Sequence, residues 1–349
     1  MRVTGWLDRF QRRHPVLGFP IAVIYKFAED QGPYLAALIT YYGFLSLFPL
    51  LLLLASVLGF VLQDDVDLQE RILDSALSQF PVIGQQLNEP QGLQGSTVAV
   101  VVGALVALYG ALGVAQALQN AMNVSWAVPR HDRPNPIRAR LRSILLILTA
   151  GFAVITTTVL SVVGGGAANE GVFSGTGALL VNISAVAVNT VIFTVAFRIA
   201  VATRVSIKDT LPGAITSAVI WQLLQLFGTA YVTGVVNDST TAYGAFAFVL
   251  GLLAWIFFAA LGVVFSIEIN VVRSKHLYPR ALMTPFTENV DLTHADQRVY
   301  ADAAAAQRHK HFESVEVTFE HGGQNASALR RALEERLAVQ AERVVRDGE

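Results

Sequence analysis

LAALITYYGFLSLFPLLLLLASVLGFVL, residues 35–62, contains no charged side chain. A helix needs ~20 mostly apolar residues to cross the hydrocarbon core of a bilayer. The stretch therefore reads as a membrane span. Further segments of the same kind follow at about 97–118, 143–165, 178–203, 212–236 and 244–272. Inside all six, only Arg198 and Glu268 carry full charge.

The basic residues orient these segments. Of the 25 Lys and Arg residues, only Arg71 falls in the connections 63–96, 166–177 and 237–243. The others lie before 35, in 119–142, around 198–208 and from 273 onward. Excess Lys and Arg marks the cytoplasmic side. The sequence thus predicts an all-α polytopic membrane protein with six transmembrane helices and both termini cytoplasmic. Composition agrees, with 53% apolar residues, 15% charged residues and a mean hydropathy of +0.50. Soluble domains carry about 25% charged residues. Cysteine is absent, so no disulfide framework or thiolate chemistry is available.

Three regions follow from this pattern. Residues 1–33 read as a cytoplasmic amphipathic arm, with Trp6, Leu7 and Phe10 on one face and Arg9, Arg12 and Arg13 opposite or flanking. Such arms lie in the headgroup plane. The run 21–29 reads as a second short helix. Arg12, Arg13, Pro15 and Pro20 interrupt any leader-like apolar run, so a cleaved signal is not expected. Residues 34–275 form the transmembrane domain. Residues 276–349 form a polar tail, with a helix expected at 293–310. A second helix at 326–345, striped by Leu329, Leu333 and Leu337, reads as a partner helix, a self-packed hairpin or nascent structure in a disordered segment.

The connections carry their own signals. Residues 66–88 have helical periodicity and predict a short amphipathic helix covering the outer mouth of the bundle or lying on the outer leaflet. The Gly-rich 164–177 reads as a linker. Asp209 followed by Pro212 reads as the start of the fifth span. Pro49 frees the Leu45 carbonyl, which predicts either a kink facing other helices or a simple bend.

Topology assigns depth to the polar residues, and most gather in the cytoplasmic half. The candidates for lining a cavity or holding a substrate are Tyr41, Tyr42, Ser46, Pro49, Asn123, Arg198, Gln222, Glu268 and Asn270. Charges in lipid pair, face water or snorkel. Arg198 and Glu268 lie at similar depth, so an ion pair between the fourth and sixth spans is expected, against separate snorkelling.

No catalytic motif accompanies these residues. The seven histidines sit in arms, loops and tail, without metalloprotease spacing. No metal or other cofactor is expected. The arginines of 130–142 fit anionic lipid better than nucleic acid. The expected partners are membrane lipids and a protein partner for the C-terminal tail, and an oligomer remains open.

The order of motifs resembles the YihY/BrkB family of bacterial inner-membrane proteins. It runs from Thr40-Tyr41-Tyr42 and Ser46-Leu47-Phe48-Pro49 through Asn123, Trp126, Pro212-Gly213-Ala214, Trp221 and Tyr231. It continues with Tyr243-Gly244 and Trp255 and ends at Glu268-Ile269-Asn270. The resemblance covers about 15–275. Ser266-Ile267 stands where the family pattern has Gly-Ala, which works against close helix packing there. The resemblance implies a multi-pass protein of the bacterial cytoplasmic membrane with a cytoplasm-facing polar region. Some relatives carry a ribonuclease label. The expected function is non-enzymatic transport or handling of a solute or lipid. The alternatives are an envelope scaffold and, last, a membrane-bound ribonuclease.

Overall fold

The computed structural model describes residues 8, 10–61, 97–169, 176–231, 241–287 and 290–319. Among these residues the secondary structure is helical, without strands. The helices are α1 (Pro15–Glu29), α2 (Gly32–Val61), α3 (Thr97–Ser125), α4 (Pro136–Asn169), α5 (Thr176–Ala200), α6 (Ile207–Tyr231), α7 (Thr241–Ser274) and α8 (His294–Ala305). Among the described residues, segments within α3 to α7 make five helices long and apolar enough to cross a membrane: Val101–Ser125, Pro136–Thr157, Ile183–Ala200, Ile207–Gly228 and Val249–Ser274. The amphipathic helix expected at 66–88 and the tail helix at 326–345 lie outside the described residues. So does the side chain of Pro49, and with it the expected kink.

The chain divides into two compact units. One comprises Val23–Val128 and Asp132–Ser274. Within it each long helix packs on its sequence neighbours from α2 to α7, and α7 packs back on α2. The result is a closed ring of six helices. Small residues fill its interior, among them Ala107, Ala115, Ala121, Ala214, Ala218 and Ala260. Apolar residues in lipid gain little by meeting other apolar residues, so close backbone approach is what binds membrane helices. Leu105, Leu148, Phe152, Phe227 and Phe258 are exposed, as lipid-facing side chains would be. Hydroxyls of Thr149, Thr156, Thr190 and Thr216 donate back to carbonyls one turn earlier in their own helices. That satisfies them where water is scarce.

Helix ends differ from the sequence reading for identifiable reasons. α4 starts at Pro136, a turn or more earlier than expected. Asn135 caps it, accepting the Arg138 N–H at 2.9 Å, with proline in the favoured first position. α4 also continues through Gly164–Gly166 to Asn169, so much of the expected linker is helix. In lipid a backbone must satisfy its own hydrogen bonds, which outweighs the low helix propensity of glycine. α6 begins at Ile207. Its cap is Ser206, whose Oγ accepts the Asp209 N–H at 3.3 Å, while Asp209 accepts the Ser206 N–H in return. Pro212 therefore sits inside the helix, where it frees the Lys208 carbonyl. Arg273 of α7 donates to that carbonyl at 3.4 Å.

Ser266 does not hold α6 and α7 apart. Its hydroxyl folds onto the Gly262 carbonyl at 2.7 Å in its own helix, and Gly213 provides the gap. A methyl group at Gly213 would lie 2.1 Å from the Ser266 carbonyl oxygen. Gly213→Ala should therefore destabilise the protein by about 1–3 kcal/mol through overpacking, despite a helix-propensity gain of about 1 kcal/mol. Thermal unfolding in detergent reads this, and an unchanged or raised midpoint would refute it.

The second unit draws on both ends of the chain: Met1–Ala22, Pro129–His131 and Lys275–Glu349. Arm and tail, separate in sequence, pack together. Asp8 accepts the Leu282 N–H at 2.9 Å, Arg12 donates to the Asp291 carbonyl at 2.9 Å, and Gln11 donates to the Arg280 carbonyl. The Arg130 and His131 N–H groups each donate at 3.2 Å, to the Ala306 and Arg308 carbonyls. At its centre Arg280 and Asp296 are both fully buried and paired at 2.5 Å. Asp296 also takes the N–H groups of Ala281 at 3.0 Å and Thr293 at 2.8 Å, closing a capping box at the start of α8. The helix expected in the tail at 293–310 is thus formed over His294–Ala305.

Candidate functional site

Glu268 lies near the end of α7, with no exposed surface. Its cation is Lys26, with Nζ 3.9 Å from Oε2. Lys26 also pairs with Asp30 one turn on and donates to the Ser125 carbonyl at 3.3 Å. The Ser125 hydroxyl donates to Glu268 Oε1 at 2.5 Å. The Asp30 and Glu268 carboxyls thus share one ammonium, that of Lys26. Two carboxyls, one ammonium and one hydroxyl thus meet where α1, α3 and α7 end and α2 begins.

Local structure explains the meeting. Ala22, Val23 and Lys26 recur at helical spacing and are all buried, so Lys26 projects from the packed face of α1. Phe27 meets Phe265 of α7 edge-on at 5.7 Å. The chain then reverses through Asp30-Gln31. Gln31 adopts a left-handed φ of 57°, and its carbonyl accepts the N–H groups of Tyr34 and Leu35 to start α2. The turn leaves Asp30 facing back toward Lys26.

Burial alone would lower the pKa of Lys26, but Glu268, Asp30 and Glu29 outweigh it and hold the ammonium above its ordinary value. Burial raises the Asp30 carboxyl by more than Lys26 lowers it. The ammonium stays charged, and the Asp30 carboxyl resists ionisation.

The expected pair of Arg198 with Glu268 is not formed. Arg198 is exposed, whereas Glu268 is enclosed with Lys26 as its cation. A similar expected depth did not determine which side of its helix each residue presents. The other candidates separate by role. The Asn270 side-chain oxygen accepts the Gly213 N–H at 2.6 Å, and that of Asn123 accepts the Ala202 N–H at 2.8 Å, so both tie helix ends together. Ser46 is buried, with its hydroxyl on the Gly43 carbonyl at 3.0 Å. Tyr41 is exposed and Tyr42 half-buried, with ring centroids 5.2 Å apart, and Tyr109 lies 6.2 Å beyond Tyr42. Gln222 is half-buried on α6. Trp221 and Trp255 stack edge-on at 5.3 Å, and the Trp255 indole donates to the Leu224 carbonyl at 3.2 Å, as core residues do.

Lys26, Asp30 and Ser125 were absent from the sequence-derived site. The signal for Lys26 was present in the spacing of Ala22, Val23 and Lys26, which puts the lysine on an apolar face.

Both the lysine and the glutamate fall within the part of the chain that known proteins share. A family model described as virulence factor BrkB matches residues 23–289. The chain belongs to this family. A relative from Bacillus subtilis, named as a putative ribonuclease-like protein YfkH, is 24% identical over 72% of this chain and 93% of its own length. The inner membrane protein YhjD of Escherichia coli is 28% identical over 47% of this chain and 51% of its own. An uncharacterised protein of Dickeya dadantii is 27% identical over 47% of this chain and 52% of its own. The matches to these last two relatives thus span about half of their length. No solved structure matches the chain. Family membership and the apolar helices make it a multi-pass membrane protein.

Proposed function

We propose that this BrkB-family protein crosses the cytoplasmic membrane six times, with both termini inside, and moves a solute or lipid held at the cytoplasmic end of the bundle. The observation that carries this reading is the buried Lys26–Asp30–Glu268 cluster. Ionisable groups at membrane depth are costly and mark pathways for substrates, ions or protons. A purely structural bundle would be served as well by apolar residues of similar volume. The basic residues around the start of α4 and before α2 support a cytoplasmic position for this end. No enzymatic step is proposed. The ribonuclease in the Bacillus relative's name fits poorly with a cluster this enclosed, since a polynucleotide needs an open surface.

A scaffold role is the second reading. It draws on the unit built from arm, loop and tail, which exposes Phe286 and Phe312.

The test reconstitutes purified full-length protein in vesicles carrying headgroup-labelled lipids, or loaded with labelled solutes. Wild type should move at least one of these faster than protein-free vesicles, and Glu268→Gln should slow it about tenfold, equivalent to ~1.4 kcal/mol. No movement above background, together with full function of Glu268→Gln in cells, would sink the reading in favour of the scaffold.

A further inference from the structure

We propose that the Lys26–Asp30–Glu268 cluster is a proton-binding site, with one proton held between the two carboxyls, and that this proton is the coupling ion for transport. The second half rests on the transport reading above. The first half stands on geometry alone.

One ammonium balances one carboxylate. Two ionised carboxyls beside Lys26 would leave a net charge of −1 in a place where Glu268 and Ser125 have no exposed surface. A single proton restores neutrality, which a low-dielectric site favours. The hydrogen bonds leave an atom to carry it. Glu268 Oε1 already accepts from Ser125, whereas Oε2 has no hydrogen-bond donor among the described residues. Asp30, whose carboxyl shares the Lys26 ammonium with that same oxygen, is the neighbouring carboxyl to share the proton with it. Lys26 occupies the position a metal cation would need, so a proton fits better than sodium. The charged groups around the site, among the described residues, are Lys26 and Glu29 on α1, Asp30 in the turn and Glu268 on α7. α3 contributes the Ser125 hydroxyl and carbonyl. Glu29 is exposed and negative, and it too favours holding the proton.

In the step itself, a carboxylic O–H bond breaks and the proton passes to water, leaving a carboxylate. The cluster goes from neutral to −1, and the reverse transfer restores it. The direction of the Asp30 shift agrees. A carboxyl raised in the folded state adds stability below the ordinary carboxylate range, and this is lost as pH rises through the folded value.

The test needs no substrate. Infrared spectra of the full-length protein in detergent, at neutral pH, should contain the carbonyl band of a protonated carboxylic acid that shifts in D2O. Glu268→Gln and Asp30→Asn should each abolish it, because one remaining carboxylate then matches one ammonium. Glu316→Gln, in the tail, should leave it. Two variants guard against one failing to fold. A wild type without the band, or a band that survives both substitutions, overturns the site. In vesicles, a one-unit pH gradient should shift the steady-state distribution of the transported species about tenfold for one coupled proton. Transport indifferent to the gradient overturns the coupling and leaves the transport reading intact. A band without any transport supports the site and removes the transport reading.

Discussion

Lys26→Met lowers stability by about 3–5 kcal/mol at neutral pH, the expected cost of removing one partner of a buried ion pair. Methionine keeps most of the length of the lysine stem, so little packing is lost. What changes is charge: Glu268 remains enclosed, with Asp30 beside it and no ammonium. The Ser125 carbonyl also loses its donor. The double variant Lys26→Met/Glu268→Gln should recover part of the loss, because it removes the fully enclosed carboxylate and leaves only Asp30, which keeps some exposure. A double-mutant cycle by thermal unfolding in detergent measures this. Additive effects of the two substitutions, or a Lys26→Met protein within about 0.5 kcal/mol of wild type, would contradict the pairing.

Asp296→Ala is expected to be equally severe, at about 3–5 kcal/mol, but in the unit built from the two ends of the chain. It removes the carboxylate paired with the Arg280 guanidinium, which has no exposed surface. It also removes the acceptor for the Ala281 and Thr293 N–H groups and opens the capping box of α8, itself worth about 1 kcal/mol. Asp296→Asn keeps an acceptor without the charge and should fall between. Hydrogen exchange at Ala281, Thr293 and the first turn of α8 reads the local opening. Protection in Asp296→Ala equal to wild type would show that the pair does not hold this unit together.

The spans were legible because a bilayer demands length and apolarity, and both can be counted. Their ends were less so. The Ser206 cap and the proline inside α6 depend on a carbonyl being rescued by Arg273, which lies 65 residues from Lys208 in sequence. Gly164–Gly166 look like a linker in water and form helix where the backbone has no other partner. Glu268 stood out because a carboxyl within a span is costly. Its cation did not, because helices apolar on every side give no sign of which way a residue faces. Arg198, expected at a similar depth, is exposed, whereas Glu268 is enclosed. Lys26 sat in a stretch read as lying on the membrane surface, although its spacing from Ala22 and Val23 marked a packed face. The tail helix was legible from its own composition. The joining of tail to arm was not, because it rests on contacts such as Asp8 with Leu282, whose partners are 274 residues apart.

The closure of α7 onto α2 has a consequence for biosynthesis. The ring has no complete interior until its last helix arrives. Lys26 and Asp30 leave the ribosome about 240 residues before Glu268, a delay on the order of tens of seconds at typical elongation rates. During that interval Lys26 has Asp30, one turn on, as its counter-charge, and the second carboxyl of the cluster does not yet exist. A chain cut short before Glu268 would keep that lysine and Asp30 uncovered by the last helix, giving the cell's quality control a means of telling unfinished copies from finished ones.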